Sequence, residues 1–377
     1  MKKICSWLDS NIRGGIQILN DGIWPCCGQS EPMFQEDNLD YDNITIDEIK
    51  KRRFKVYELM NKNEACVGCE QIVEKPEDEI DIGKIAYLSI GLFATCNLRC
   101  KYCYFTHEQL GAKISPKRKK LLPLVKRFAD ADMLKETVEM GVAGGEPTLL
   151  EDLPETLNFL AKRYKSPSFV LLSNSSIESK TKKLAQELKK VDTNIVKSLY
   201  TSIDAGTAET YKLIRGRDLF KSVCKNILNY AKEGVFKNIN LKYILLFDHE
   251  NTSDKDIFGF LNFVQKVYLT NNNTTCITLD YDMLSKKVFD DEMVAAAGKI
   301  YYVITKIFGM NLYYCGGGLT PCSKKGTENI KKLEEYAKNY PQMSKGLMEN
   351  LHLVTYKVMA KVKKIKRLIR ILRIING

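Results

Sequence analysis

The sequence predicts an α/β fold: a partial (β/α)6 barrel, with a small Cys-rich region before it and a helical extension after it. Three observations carry this expectation. Six short runs rich in apolar and β-branched residues recur through the middle of the chain, connections long enough for a helix separate them, and no internal repeat or low-complexity segment interrupts the series.

The runs are residues 85–93, 137–143, 168–173, 199–204, 239–247 and 276–280. Their starts fall roughly 30 to 50 residues apart, the spacing of successive βαβ units in a parallel sheet. Residues 176–191 and 218–233 read as two of the intervening helices. Six units make an open or partial barrel rather than the eight-stranded closed form. In either form, functional groups belong just after the C-terminal ends of the strands. Four regions result: residues 1–80, cysteine-bearing and irregular apart from a helix over 45–61; the core, 81–285; a mostly helical extension, 286–344, broken by a glycine-rich loop between Cys315 and Cys322; and a basic tail, 345–377.

Composition narrows the chemistry. Hydrophobic residues make up 44% and charged residues 28% of the 377, ordinary for a chain that buries a core. No uncharged apolar stretch of about 18 residues occurs, and Met1-Lys2-Lys3-Ile4-Cys5 lacks the apolar region of a secretory signal, so a soluble cytoplasmic protein is expected. Twelve cysteines in a chain of this kind point to metal or catalysis rather than disulfides, and eight lie in the first 103 residues. With only three histidines, far apart in sequence, thiolates are the natural ligands, which selects iron–sulfur or zinc. The net charge of +12 suggests nucleic acid, but eight of those charges lie in residues 357–377, which have no acid, leaving +4 for the rest. The location of the charge therefore argues against a nucleic-acid partner for the body of the protein.

After the first strand comes Ala94-Thr95-Cys96-Asn97-Leu98-Arg99-Cys100-Lys101-Tyr102-Cys103. Three thiolates on a four-iron cubane leave one iron without a protein ligand, the open position that separates a reactive metal site from a closed one. A zinc knuckle is the plainer alternative, and it lacks an evident fourth ligand.

Residues 96–105 resemble the signature of the radical S-adenosylmethionine (SAM) superfamily, including Tyr102 directly before the third cysteine. The resemblance implies a [4Fe–4S] cluster on Cys96, Cys100 and Cys103, with SAM chelating the open iron. It also implies reductive SAM cleavage, hydrogen abstraction by the resulting 5′-deoxyadenosyl radical, and a reductant protein such as flavodoxin or ferredoxin. The cofactor carries the hard chemistry and the protein orients it. Further stretches are similar to the family's SAM contacts, each after its own strand. Gly144-Gly145-Glu146 offers close backbone approach and an acceptor for the methionine ammonium. Ser173-Asn174 takes the ribose position. Ser202 and Asp204 alternate onto one face, and Arg215 suits a carboxylate. The similarity covers roughly residues 83–285.

Cys5, Cys26, Cys27, Cys66 and Cys69 resemble the ligands of a SPASM or twitch auxiliary cluster, which in that family usually follows the core rather than precedes it. A second [4Fe–4S] cluster is expected from four of them, with structural zinc as the alternative. Cys224 and Cys276 read as inert core thiols, and Cys315 and Cys322 as loop thiols. In the tail, residues 354–375 place Val358, Val362, Ile365, Leu368, Ile369 and Leu372 on one helical face with Lys and Arg opposite, suited to an anionic membrane surface. The expected enzyme acts on a peptide or protein, or next on an envelope carbohydrate. The rival from another class is a non-catalytic Zn or Fe–S module that contacts nucleic acid or membrane through the basic tail.

Overall fold

The computed structural model describes residues 1–19, 22–24, 44–64, 66, 69, 71–91, 96–103, 120–271, 275–282, 288–314, 319 and 324–343. Cys26, Cys27, Cys315, Cys322 and the basic tail lie outside the described residues.

Six parallel strands form the centre: β5 (Ile85–Gly91), β6 (Leu134–Val142), β7 (Ser168–Leu172), β8 (Val196–Ser202), β9 (Asn238–Leu245) and β10 (Thr275–Tyr281). They lie side by side in chain order, each paired in parallel with the next. Between them run α2 (Leu122–Asp130), α3 (Leu153–Arg163), α4 (Glu178–Lys190), α5 (Ala208–Arg215), α6 (Phe220–Glu233) and α7 (Asp254–Thr270). The arrangement is the expected partial (β/α)6 barrel. Apolar residues at alternate strand positions, such as Phe169, Leu199, Leu241 and Leu279, are fully buried in one continuous core with apolar helix residues such as Leu157 and Leu160. Local signals set the helix ends: Thr207, Ser253 and Asp290 each accept a backbone N–H of the turn that follows, and Gly216 and Gly234 close α5 and α6 in the left-handed conformation.

The sheet is wider than six strands. β2 (Gly15–Leu19) pairs in parallel with β5, β3 (Gly22–Trp24) pairs antiparallel with β2, and β11 (Leu312–Tyr314) adds to β10, giving nine strands. Residues 1–80 are therefore not irregular as the sequence suggested. Ile16, Ile18 and Ile23 are almost completely buried against the core, but strands of three to five residues are too short to show a clear alternation. The same applies to β11, within an extension read as helical.

A small second unit holds β1 (Lys2–Cys5) antiparallel to β4 (Ile72–Lys75), with α1 (Ile46–Asn61) against them. Arg53 on α1 is completely buried. Its guanidinium donates to the carbonyls of Gly15 (2.8 Å), Leu8 (2.9 Å) and Ile82 (3.1 Å), tying this unit to the first strand of the large sheet. Burial of the charge lowers the Arg53 pKa to about 10.

Candidate functional site

The C-terminal ends of β5 to β9 gather the residues that the sequence singled out. The loop carrying Cys96, Cys100 and Cys103 is fastened to the end of α5: the N–H groups of Arg99 and Lys101 donate to the carbonyls of Arg215 (3.1 Å) and Ile214 (3.0 Å). A Cβ on Gly216, whose φ is +75°, would stand 3.0 Å from the Arg99 carbonyl oxygen, so the close approach itself favours glycine there.

Arg215 is the centre of this junction. Its Nη1 donates to Cys100 Sγ (3.1 Å) and to the Tyr102 hydroxyl, and Nη2 donates to the Ser202 carbonyl and lies 3.5 Å from Asp204 Oδ2. The Tyr102 hydroxyl in turn donates to Asp204. Burial pushes the Asp204 carboxyl and the Tyr102 hydroxyl up, with Arg215 opposing both shifts. Asn251 fixes the far side. Completely buried, it donates from Nδ2 to the carbonyls of Asp204 (2.9 Å) and Ile244 (2.8 Å) and accepts the N–H of Leu246 (3.1 Å). Below it, Gly206 and Gly259 touch through their backbones: a Cβ on Gly259 would meet the Gly206 carbonyl oxygen at 2.3 Å.

Glu146 organises the other flank. It is 1% exposed; Oε1 accepts the Thr148 N–H (3.2 Å), the Thr148 hydroxyl (2.7 Å) and the Ser173 hydroxyl (2.6 Å), and Oε2 accepts the Asn174 N–H (2.7 Å). Burial nevertheless leaves its carboxyl pushed up from the ordinary range. Asn174 reaches across to the cysteine loop, donating to Asn97 Oδ1 (2.9 Å) and Cys96 Sγ (3.5 Å). Gly144 adopts φ +109° at the turn between β6 and Glu146, with Gly145 following it. Cys96, Cys100, Cys103, Tyr102, Gly144, Gly145, Glu146, Ser173, Asn174, Ser202, Asp204 and Arg215 thus share one edge of the sheet.

The donor set suits an iron–sulfur cluster. Burial raises the Cys96 and Cys100 thiols, so the thiolate form needs a cation at the sulfurs, and a bound metal supplies it. N–H groups from Leu98 and Asn174 to Cys96, and from Arg215 to Cys100, are the outer contacts that adjust cluster sulfur. Among the described residues, no three His, Cys, Asp or Glu side chains are grouped so as to hold one metal ion.

In the small unit the structure brings Cys5, Cys66 and Cys69 near one another. Cys5 and Cys66 pack in one apolar cluster, and the β1–β4 pairing sets Cys5 opposite Ile72, three residues after Cys69. Cys66 holds a left-handed φ of +57°. Cys224 on α6 and Cys276 on β10 are partly buried, and burial raises both thiols, that of Cys224 to about 12.

Sequence reasoning missed Asn251, Arg53 and the ion pair between Lys242 and the buried Asp280. Lys242 had left a signal: in β9, Asn238, Asn240 and Lys242 alternate with Ile239, Leu241 and Tyr243, a polar stripe facing away from the helices.

The class follows from this edge and from a family match. Residues 90–261, a little under half of the chain, match the Radical SAM superfamily, whose members use a [4Fe–4S] cluster and SAM. Among individual relatives, the chain is similar to the GTP 3′,8-cyclase of Psychromonas ingrahamii, 25% identical over 183 residues, covering 48% of this chain and 50% of the relative. It is similar also to the GTP 3′,8-cyclase of Aliarcobacter butzleri, 27% identical, covering 48% and 52%. The chain spans about half the length of these curated relatives. Among solved structures, it resembles Streptococcus suis SuiB bound to S-adenosylmethionine, with a TM-score of 0.43 and 15% identity, covering 72% of this chain and 56% of that one. No helix among the described residues is long and apolar enough to cross a membrane.

Proposed function

We propose that this chain is a radical SAM enzyme acting on a peptide or protein, with an envelope carbohydrate as the next substrate class. The observation that carries the reading is the fastening of the cysteine loop, through Arg215, Tyr102 and Asp204, to the strand ends that also present Glu146, Ser173, Asn174 and Ser202. When bound, the cluster and SAM supply a 5′-deoxyadenosyl radical that removes hydrogen from substrate. Cys96, Cys100 and Cys103 would hold the cluster. Glu146 sets the turn of Gly144 and Gly145 on which the methionine end would lie, and Ser173 and Asn174 serve the ribose. Among the described residues the buried Arg215 Nε has no hydrogen-bond partner, and it is the donor that the SAM carboxylate would engage beyond those already taken.

The division into residues 1–80, 81–285, 286–344 and 345–377 belongs to this proposal, as does a second cluster on Cys5, Cys66 and Cys69 with Cys26 or Cys27. The pairing of β1 with β4 supports that second site. Replacing Cys66 and Cys69 with Ala should lower iron per chain; unchanged iron would remove the auxiliary cluster. The tail is proposed to rest on an anionic membrane surface, and a flavodoxin or ferredoxin to supply the electron.

A nucleotide-cyclising reading takes its support from the names of the relatives. The test of the main reading is spectroscopic: the anaerobically reconstituted, reduced protein should give a cluster electron-paramagnetic-resonance signal that shifts when SAM is added. A cluster signal indifferent to SAM would contradict it.

A further inference from the structure

The cysteine loop has an outer side as well as the side that meets the strand ends. Asn97 Nδ2 donates to Ser176 Oγ (2.6 Å), just ahead of α4, and Arg99 lies against Gly216 at the end of α5. Lys225 on α6 reaches Glu178, the first residue of α4 (2.9 Å), and Asn226 donates to the Ser175 carbonyl (2.8 Å). The loop and the first two turns of α4 and α6 therefore form one continuous surface.

Charge on this surface is one-sided. Arg99, Arg217, Lys221, Lys225 and Lys182 are all exposed, and among the described residues the acids between them are Glu178 and Asp218. Glu178 is shared by Lys225 and Lys182 (3.4 Å), so one carboxylate answers two ammonium groups. Lys221 stands one turn before Lys225 on the same face of α6. Arg99 directly precedes Cys100, and its Nη1 donates to the carbonyls of Cys96 (3.1 Å) and Leu98 (2.8 Å), so its exposed side chain lies over the loop itself. Lys101, by contrast, is paired with Glu250 (2.6 Å) and adds no net charge.

We propose that this surface docks an acidic electron-carrier protein, which delivers its electron beside Cys100. One electron passes from the carrier's reduced flavin or iron–sulfur group to the cluster, and no covalent bond forms or breaks. The proposal rests on the radical SAM reading and deepens it by placing the reductant on the helix side of the loop. Five cations against two carboxylates steer an anionic partner across about 10 Å at 0.1 M salt. Nucleic acid or anionic lipid would feel the same field. Neither gains from the feature that marks this patch, its covalent continuity with a cysteine of the cluster loop.

The test is binding of an acidic flavodoxin to the full-length, cluster-loaded protein by biolayer interferometry. The dissociation constant should rise at least about tenfold between about 0.02 and 0.3 M salt. At low salt the double variant Arg217→Glu/Lys221→Glu should raise it by about the same factor or more. Lys162→Glu/Lys165→Glu makes the same charge change at exposed positions just before β7 begins, at the other end of the sheet, and should leave binding unchanged. Where Arg217→Glu disturbs the Gly216 turn and iron is lost, Lys221→Glu alone, on an exposed helix position, decides in the same direction. Salt-independent or absent binding by wild type would overturn the proposal, as would equal losses in the two double variants. A patch variant that holds flavodoxin as wild type does, but loses phosphatidylglycerol vesicles or RNA, would overturn it in favour of those partners. None of these outcomes needs SAM cleavage, so a chain that holds the carrier yet leaves SAM intact fails the enzymatic reading and not this one.

Discussion

Asn251→Ala should destabilise the chain and loosen the site together. The side chain is completely buried and makes three hydrogen bonds, to the Asp204 and Ile244 carbonyls and from the Leu246 N–H. Truncation leaves two buried acceptors and one buried donor without partners. At about 1–2 kcal/mol for each stranded group, the expected loss is roughly 3–5 kcal/mol. With a urea slope of about 3 kcal/mol/M for a chain of this size, the unfolding midpoint should fall by roughly 1–1.5 M. The assay is urea unfolding of the cluster-free protein followed by far-ultraviolet circular dichroism. Iron retention after reconstitution, measured in parallel, should also drop, because Asp204 holds Tyr102 and Arg215 beside Cys100. A loss below about 1 kcal/mol with full iron retention would refute the claim that Asn251 joins the ends of β8 and β9 in support of the cysteine loop.

Four further outcomes are expected. Glu146→Gln sets an amide N–H₂ or a lone oxygen where two oxygens now accept four bonds, and should cost about 2 kcal/mol. Because burial raises the folded-state pKa of Glu146 above its unfolded value, its contribution falls as pH rises from the ordinary carboxylate range through the raised value. Urea midpoints should accordingly differ most between wild type and E146Q at acidic pH, with the gap narrowing toward neutrality. Gly259→Ala drives a Cβ to 2.3 Å from the Gly206 carbonyl oxygen and should cost about 1–3 kcal/mol in thermal unfolding. Gly83→Ala, with its nearest atom at 3.5 Å, should be almost neutral in the same assay. Arg53→Met strands the Leu8, Gly15 and Ile82 carbonyls and should cost roughly 3 kcal/mol or more, with limited proteolysis appearing first between α1 and β5. Protease resistance equal to wild type would remove Arg53 from that role.

What was legible in the sequence has a common physical basis. The six central strands are buried on the helix side and run five residues or more, so each left an apolar run, and their order fixed where Gly144, Ser173, Ser202 and Arg215 would meet. Thr45, where the sequence placed the start of the first helix, is its N-cap, accepting the Glu48 N–H at 3.2 Å. The short strands β2, β3 and β11 left no comparable trace, since their burial comes from neighbours distant in the chain. Asn251 and Arg53 were equally hidden: each satisfies backbone groups from separate segments, a role without a spacing rule. Lys242 was visible as a polar residue in an apolar strand, but its partner Asp280 appears only once β9 and β10 are in register.

The most direct test of the central claim is production of 5′-deoxyadenosine. The chain, reconstituted anaerobically with iron and sulfide, reduced and given SAM, should release 5′-deoxyadenosine, and Cys100→Ala should abolish it. Intact SAM in the presence of a fully loaded, reduced cluster would contradict the assignment of these strand ends as a radical SAM site.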